Sequence, residues 1–132
     1  MTIYALSSGS GVSGVAIIRI SGQETSEVIK ALTSREIPKP RMATLRKINN
    51  INTSELIDEG IILWFPGPES YTGEDMAEIH IHGGKAGILA VQNEISKIKN
   101  CRLAEPGEFT KLAFQNGKIN LLKAESTADL IS

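Results

Sequence analysis

The stretch Gly9-Ser-Gly-Val-Ser-Gly-Val-Ala-Ile-Ile-Arg-Ile-Ser-Gly22 decides the fold. Its first six residues satisfy Gly-x-Gly-x-x-Gly, the signature of a turn that holds a dinucleotide pyrophosphate on a helix N-terminus. Here the glycines are followed by Val15-Ala-Ile-Ile-Arg-Ile20, a β-branched run that makes a strand and opens no helix. The signature therefore fails in its context. The glycines read as a flexible turn between a first strand, Thr2 to Leu6, and a second one over 15–20.

Beyond the second strand, Ser21-Gly-Gln-Glu24 has the pattern of a capping box. Val28, Ile29 and Leu32 recur at helical spacing, so a helix is expected over about 23–33, and Pro38 and Pro40 forbid its continuation. Segment 42–48 reads as a strand and 49–54 as a turn. Gly60-Ile-Ile-Leu-Trp-Phe65 is apolar almost throughout and is expected to form a strand buried on both faces. From Asp75 to His82 the chain alternates. Met76, Glu78, His80 and His82 share one face, and Ala77, Ile79 and Ile81 the other. A helix follows over about 85–99, with Ile88, Val91, Ile95 and Ile98 on one stripe, then a short strand over 101–105. Pro106 suits the first turn of a helix over about 106–115, which Gly117 ends. Leu121, Ala124, Ala128 and Ile131 keep helical spacing to the last residue, as in a helix that continues into a further domain. Strands and helices do not alternate regularly, so the expected fold is α+β: a mixed β-sheet with three to four helices.

The 132 residues suit one packed core, with 41% hydrophobic and 22% charged residues. Net charge is −1, which gives no ground for nucleic-acid binding by the domain alone. Cys101 is the single cysteine, so no internal disulfide forms, and the expected location is cytoplasmic. The first residues lack the pattern of a secretion signal, and no apolar run approaches the ~20 residues that span a bilayer.

Three charged side chains are candidate ligand contacts, each with a plainer reading beside it. Glu78 offers a carboxylate among apolar neighbours, suited to accept two parallel N–H bonds from a flat 2-amino-4-oxo heterocycle such as a pterin or guanine. Arg19 is the one charge in an apolar strand; its plainer reading is a solvent-facing position. Lys118, in Gln115-Asn-Gly-Lys118, reads on its own as a solvated loop lysine. Glu78, His80 and His82 together offer metal-ligand chemistry, but no other His or Cys cluster supplies the ligands that would close a site.

The motifs Leu63-Trp-Phe-Pro-Gly-Pro68, Tyr71-Thr-Gly-Glu-Asp75, His82-Gly-Gly84, Ala104-Glu-Pro-Gly-Glu-Phe109, Asn116-Gly-Lys118 and Ala124-Glu-Ser-Thr-Ala-Asp-Leu-Ile131 occur in this order. Together they resemble the N-terminal part of the tRNA-modification GTPases of the MnmE (TrmE) type, across essentially the whole chain. The resemblance implies a domain over 1–118 similar to the tetrahydrofolate-binding part of the glycine-cleavage T-protein. Residues 119–132 would begin a helical domain that carries an inserted GTPase domain. It implies a homodimer and a 5-formyl- or 5,10-methylene-tetrahydrofolate as one-carbon donor for modifying the wobble uridine of tRNA. The partner would be the flavoprotein MnmG (GidA), and the GTPase would use GTP, Mg²⁺ and K⁺. It carries folate contacts onto Arg19, Glu78 and Lys118, leaving open which cation meets which ligand oxygen. A purely structural dimerisation module remains the alternative.

The chain departs from the family in two respects. Its glycine loop lacks the Pro and Arg that relatives often carry. The sequence also contains no Gly-x-x-x-x-Gly-Lys-Ser/Thr loop and no C-terminal Cys motif, so GTP hydrolysis would belong to the longer parent protein and not to these residues.

Overall fold

Two strands whose burial alternates over most of their length, Ala16–Ser21 (β2) and Met76–Ile81 (β5), form the middle of a six-stranded sheet. The computed structural model describes residues 1–8, 14–82 and 84–120. The other strands are Thr2–Leu6 (β1), Thr44–Asn49 (β3), Leu56–Phe65 (β4) and Cys101–Leu103 (β6). The sheet order is β3-β4-β5-β2-β1-β6, antiparallel except for the parallel β1–β6 pair. The described helices are Thr25–Thr33 (α1), Gly84–Ser96 (α2) and Glu108–Gln115 (α3). This is the expected α+β mixed sheet. The expected helix beyond Leu121 and the glycines at 9–13 lie outside the described residues.

Period-two alternation sends the two halves of each strand to opposite faces. On one face Ile18, Ile20, Ile62, Ala77, Ile79 and Ile81 pack beneath Val28, Ile29 and Leu32 of α1 and Val91 and Ile95 of α2. This is the main core. On the other face a smaller cluster gathers Ile3, Ala5, Met76 and the fully buried Phe109 of α3. α3 covers one end of that second face, which leaves its middle partly open.

Three expectations need correction. No capping box forms. Ser21 ends β2, where its Oγ lies 2.8 Å from Thr72 Oγ1 and donates to Glu74 Oε1. Glu24 accepts a hydrogen bond from Thr2 Oγ1, and its N–H donates back to that oxygen at 2.8 Å. Tertiary partners outcompete the local cap because Thr2 is fully buried beside the helix start and would otherwise go unsatisfied. Second, β4 starts at Leu56, because Leu56, Asp58 and Glu59 pair with β3 although Asp58 and Glu59 are charged. Third, β4 is not buried on both faces. Ile62 is fully buried under the helices, while Ile61 and Leu63 on the open face are half-buried.

The remaining expected turns form for local reasons. Asn50 Oδ1 accepts from the Asn52 and Thr53 amides, closing the β3–β4 connection as an Asx turn. Gly117, at φ 72°, ends α3, with the Lys118 amide donating back to Ala113 O at 2.8 Å. This six-to-one bond is a Schellman closure.

Candidate functional site

On the open face, strand register lines the side chains up in rows. Leu63, Glu78, Arg19 and Ala5 form one row across β4, β5, β2 and β1. Ile61, His80 and Ile17 form the next. Arg19 and Glu78 are thus direct cross-strand neighbours. Their Nη2 and Oε2 atoms lie 3.4 Å apart, an ion pair at the long end of hydrogen bonding. Glu78 Oε1 meets His80 Nε2 at 3.0 Å. Each of these three side chains is about a quarter exposed, Arg19 at 27%.

Two rings confine Arg19. Its Cζ lies 5.6 Å from the Tyr71 ring centroid and 5.9 Å from that of Phe109, within cation–π range of both. Its Nε is buried and has no hydrogen-bond partner among the described residues. An orphan donor beside a carboxylate and two aromatic rings, over half-buried Ile17, Ile61 and Leu63, is a site suited to a flat ligand with polar edges.

The 66–75 loop supplies Tyr71, and its own hydrogen bonds fix it. Asp75 Oδ1 accepts the Gly67 amide at 2.9 Å, Thr72 O accepts Asn116 Nδ2 at 2.6 Å, and Tyr71 Oη lies 3.2 Å from Thr110 Oγ1. Lys118 packs against this loop. Its Nζ donates to Pro68 O at 2.9 Å, and with Arg41, Phe65, Ser70 and Tyr71 it lines a groove of about 420 Å³. The structure therefore joins Arg19 to Glu78 directly, and Tyr71 borders both Arg19 and the groove that Lys118 lines. Sequence reasoning passed over Tyr71 and Phe109. Both stand in motifs quoted above, but their contacts with Arg19 come from distant segments and leave no periodic trace.

His82 is exposed at the end of β5, and its backbone amide donates to Asp58 Oδ2. Among the described residues no three His, Cys, Asp or Glu side chains group closely enough to hold a metal ion.

The family described as "GTP-binding protein TrmE N-terminus" matches residues 2–118. The chain belongs to this TrmE N-terminal family. The chain is 78% identical over all 132 residues to a protein named tRNA modification GTPase MnmE from Pelagibacter ubique, of which it covers 30%. It is 50% identical over 130 residues, 98% of its length, to the mitochondrial 5-taurinomethyluridine-[tRNA] synthase subunit GTPB3 of Danio rerio, covering 26% of that protein. The human protein of the same name is 47% identical over 131 residues, with 27% covered. The chain thus spans less than a third of these TrmE-family relatives. Arg19, Glu78 and Lys118 all fall inside the matched TrmE region. Among the described residues no helix is long and apolar enough to cross a membrane.

Proposed function

We propose that this domain binds a one-carbon tetrahydrofolate, 5-formyl or 5,10-methylene, on the open sheet face, and that it does so as part of a longer, cytoplasmic tRNA-modification GTPase. The observation that carries this reading is the Arg19–Glu78 pair, with its buried, unpartnered Arg19 Nε between two rings. A carboxylate has about four acceptor sites, so Glu78 holds Arg19 and His80 and still accepts the 2-amino edge of a pterin. Tyr71 and Phe109 border the heterocycle. The Arg19 guanidinium, through its free Nε–H, and the Lys118 ammonium are cations suited to a carbonyl, a formyl oxygen or the glutamate carboxylates of the ligand.

The relatives' names support a role in modifying tRNA, and the proposed product is the carboxymethylaminomethyl or aminomethyl form of the wobble uridine. In this reading the domain pairs with a second copy of itself and works with the flavoprotein MnmG (GidA). GTP, Mg²⁺ and K⁺ bind a separate GTPase domain.

Calorimetry with 5-formyltetrahydrofolate tests the site, with light scattering on the same sample to record the oligomeric state. The expected result is a saturable isotherm that Glu78→Ala abolishes or weakens at least tenfold. An isotherm for Glu78→Ala superimposable on that of the parent overturns the contact. No heat in a confirmed dimer overturns folate binding itself and favours a domain that only pairs subunits.

A further inference from the structure

The net charge of −1 conceals a strong segregation. Residues 30–47 hold six of the 14 Lys and Arg residues (Lys30, Arg35, Lys39, Arg41, Arg46 and Lys47) and one of the 15 Asp and Glu residues, Glu36. The rest of the chain carries eight cations against 14 acids. The cations elsewhere are partly matched: Arg19 pairs with Glu78, Lys97 with Glu94, and Arg102 with Glu108. None of the six belongs to an ion pair among the described residues.

Three of them converge. Lys30 in the last turn of α1, Arg35 just beyond it and Arg46 of β3 line one concavity of about 550 Å³, together with Ser34, Glu36 and Ile37. Arg46 is the anchored member. Its Nη1 donates to Leu45 O at 3.1 Å, and its Nε is buried with no partner among the described residues. The guanidinium is thus held in place with a donor to spare. β3 is the outer strand of the sheet, so nothing in the sheet flanks this edge. Lys47, the next residue along the strand, projects to the opposite face and extends the positive charge around the rim. Glu36 subtracts one charge and leaves the cluster basic.

We propose that this β3 edge binds the phosphate backbone of an RNA. The choice of RNA rests on the tRNA reading given above; the anion site itself rests on the charge and geometry of this edge. No Tyr, Phe or Trp lines the concavity, so it offers donors to phosphate oxygens and no ring for base stacking. The contact is therefore independent of sequence and positions the RNA. The acidic excess elsewhere repels the same polyanion, which restricts docking to this edge. The edge and the Arg19–Glu78 pair are separate surfaces: Arg46 shares the helix-covered face with Ile48, and Arg19 lies on the other.

Fluorescence anisotropy with an unmodified tRNA transcript as probe tests the proposal. If Lys30, Arg35 and Arg46 each neutralise one phosphate, binding weakens roughly 20- to 40-fold between 50 and 200 mM salt. Lys30→Ala/Arg35→Ala/Arg46→Ala is expected to remove most of that salt dependence and at least tenfold in affinity at low salt. The exposed pair Lys30→Glu/Arg35→Glu, which leaves Arg46 in its packing, should weaken binding to a similar degree with an unchanged circular dichroism spectrum. Unchanged tRNA titrations for the folded charge-reversed protein overturn the proposal. Polyglutamate competing as well as RNA of equal charge overturns it in favour of an acidic protein partner. A 5-formyltetrahydrofolate titration of the same variants separates the two readings: loss of tRNA binding with intact folate binding supports the edge, whatever the folate site proves to do.

Discussion

At Glu78 one carboxylate faces two donors from different directions, Arg19 across the strand pair and His80 two residues along. Such a partly exposed pair contributes little to stability, at most about 1 kcal/mol. Glu78→Gln should therefore leave the melting temperature nearly unchanged. It should still weaken reduced-folate binding roughly 10- to 100-fold, because a charge-assisted hydrogen bond contributes about 1.5–3 kcal/mol. Parallel melting and calorimetry check this, and a large loss of stability with intact binding would reverse the assignment. Phe109→Ala should behave differently. Phe109 is fully buried, so the change should cost about 3–5 kcal/mol and also remove one ring from beside Arg19. Much of this residue-scale picture was legible in the sequence. Glu78 stands on the polar side of an alternating strand, and Arg19 is a lone charge in an apolar one. Tyr71 and Phe109 were not legible as site residues. A loop and a helix distant in the chain bring them to Arg19, and only the tertiary fold shows that.

Strand β5 follows from alternation, β2 from its β-branched run, the second half of β4 from its apolar run, and helices α1 and α2 from apolar stripes, with end shifts of a few residues. What misled the reading was competition between local and distant partners. The Ser21–Glu24 cap is locally sound, yet both side chains turn to residues of other elements. The start of β4 escaped notice because Asp58 and Glu59 are polar, and backbone pairing with β3 alone makes them strand. Gly60 in that strand is a sharper case. A Cβ there would stand 2.1 Å from the carbonyl oxygen of His80 and 3.0 Å from the Ile81 side chain. The obstacle is backbone of the neighbouring strand, which cannot swing aside as a side chain can. Gly60→Ala is therefore expected to push β4 from β5 and cost about 1–3 kcal/mol or more. Because Leu63 of β4 sits beside Glu78, the same change should weaken ligand binding. Urea unfolding and a folate titration measure both, and a protein of parent stability would show that the two strands separate here without cost.

Over the whole molecule, three carboxylates tie separate elements together, and all three are held below their ordinary value of 4.5. Thr2 donates to Glu24 and so joins β1 to the start of α1. Burial alone would push Glu94 up. The Lys97 ammonium at 2.7 Å and the Ile51 amide at 2.8 Å outweigh it, and the Ile51 bond locks α2 to the β3–β4 turn. Arg102 grips Glu108 with two bonds, at 2.9 and 2.5 Å, joining β6 to α3. A carboxylate with a depressed folded-state pKa binds protons more readily when unfolded. Its stabilisation is present above 4.5 and is lost as pH falls through the lower folded-state values. Stability should thus hold from neutral pH down to about 5 and then fall steeply. Glu94→Gln isolates one contribution. It keeps a side chain of similar shape, but replaces the carboxylate that Lys97 and the Ile51 amide share in a nearly buried place. The variant should be less stable by about 1–3 kcal/mol at neutral pH. Its loss of stability on acidification should also be shallower, since one group linking folding to proton uptake is gone. Urea midpoints across the acid range measure both quantities. Parallel curves for parent and variant would show that Glu94 stays ionised equally in both states, and that the acid limb arises from the other two carboxylates.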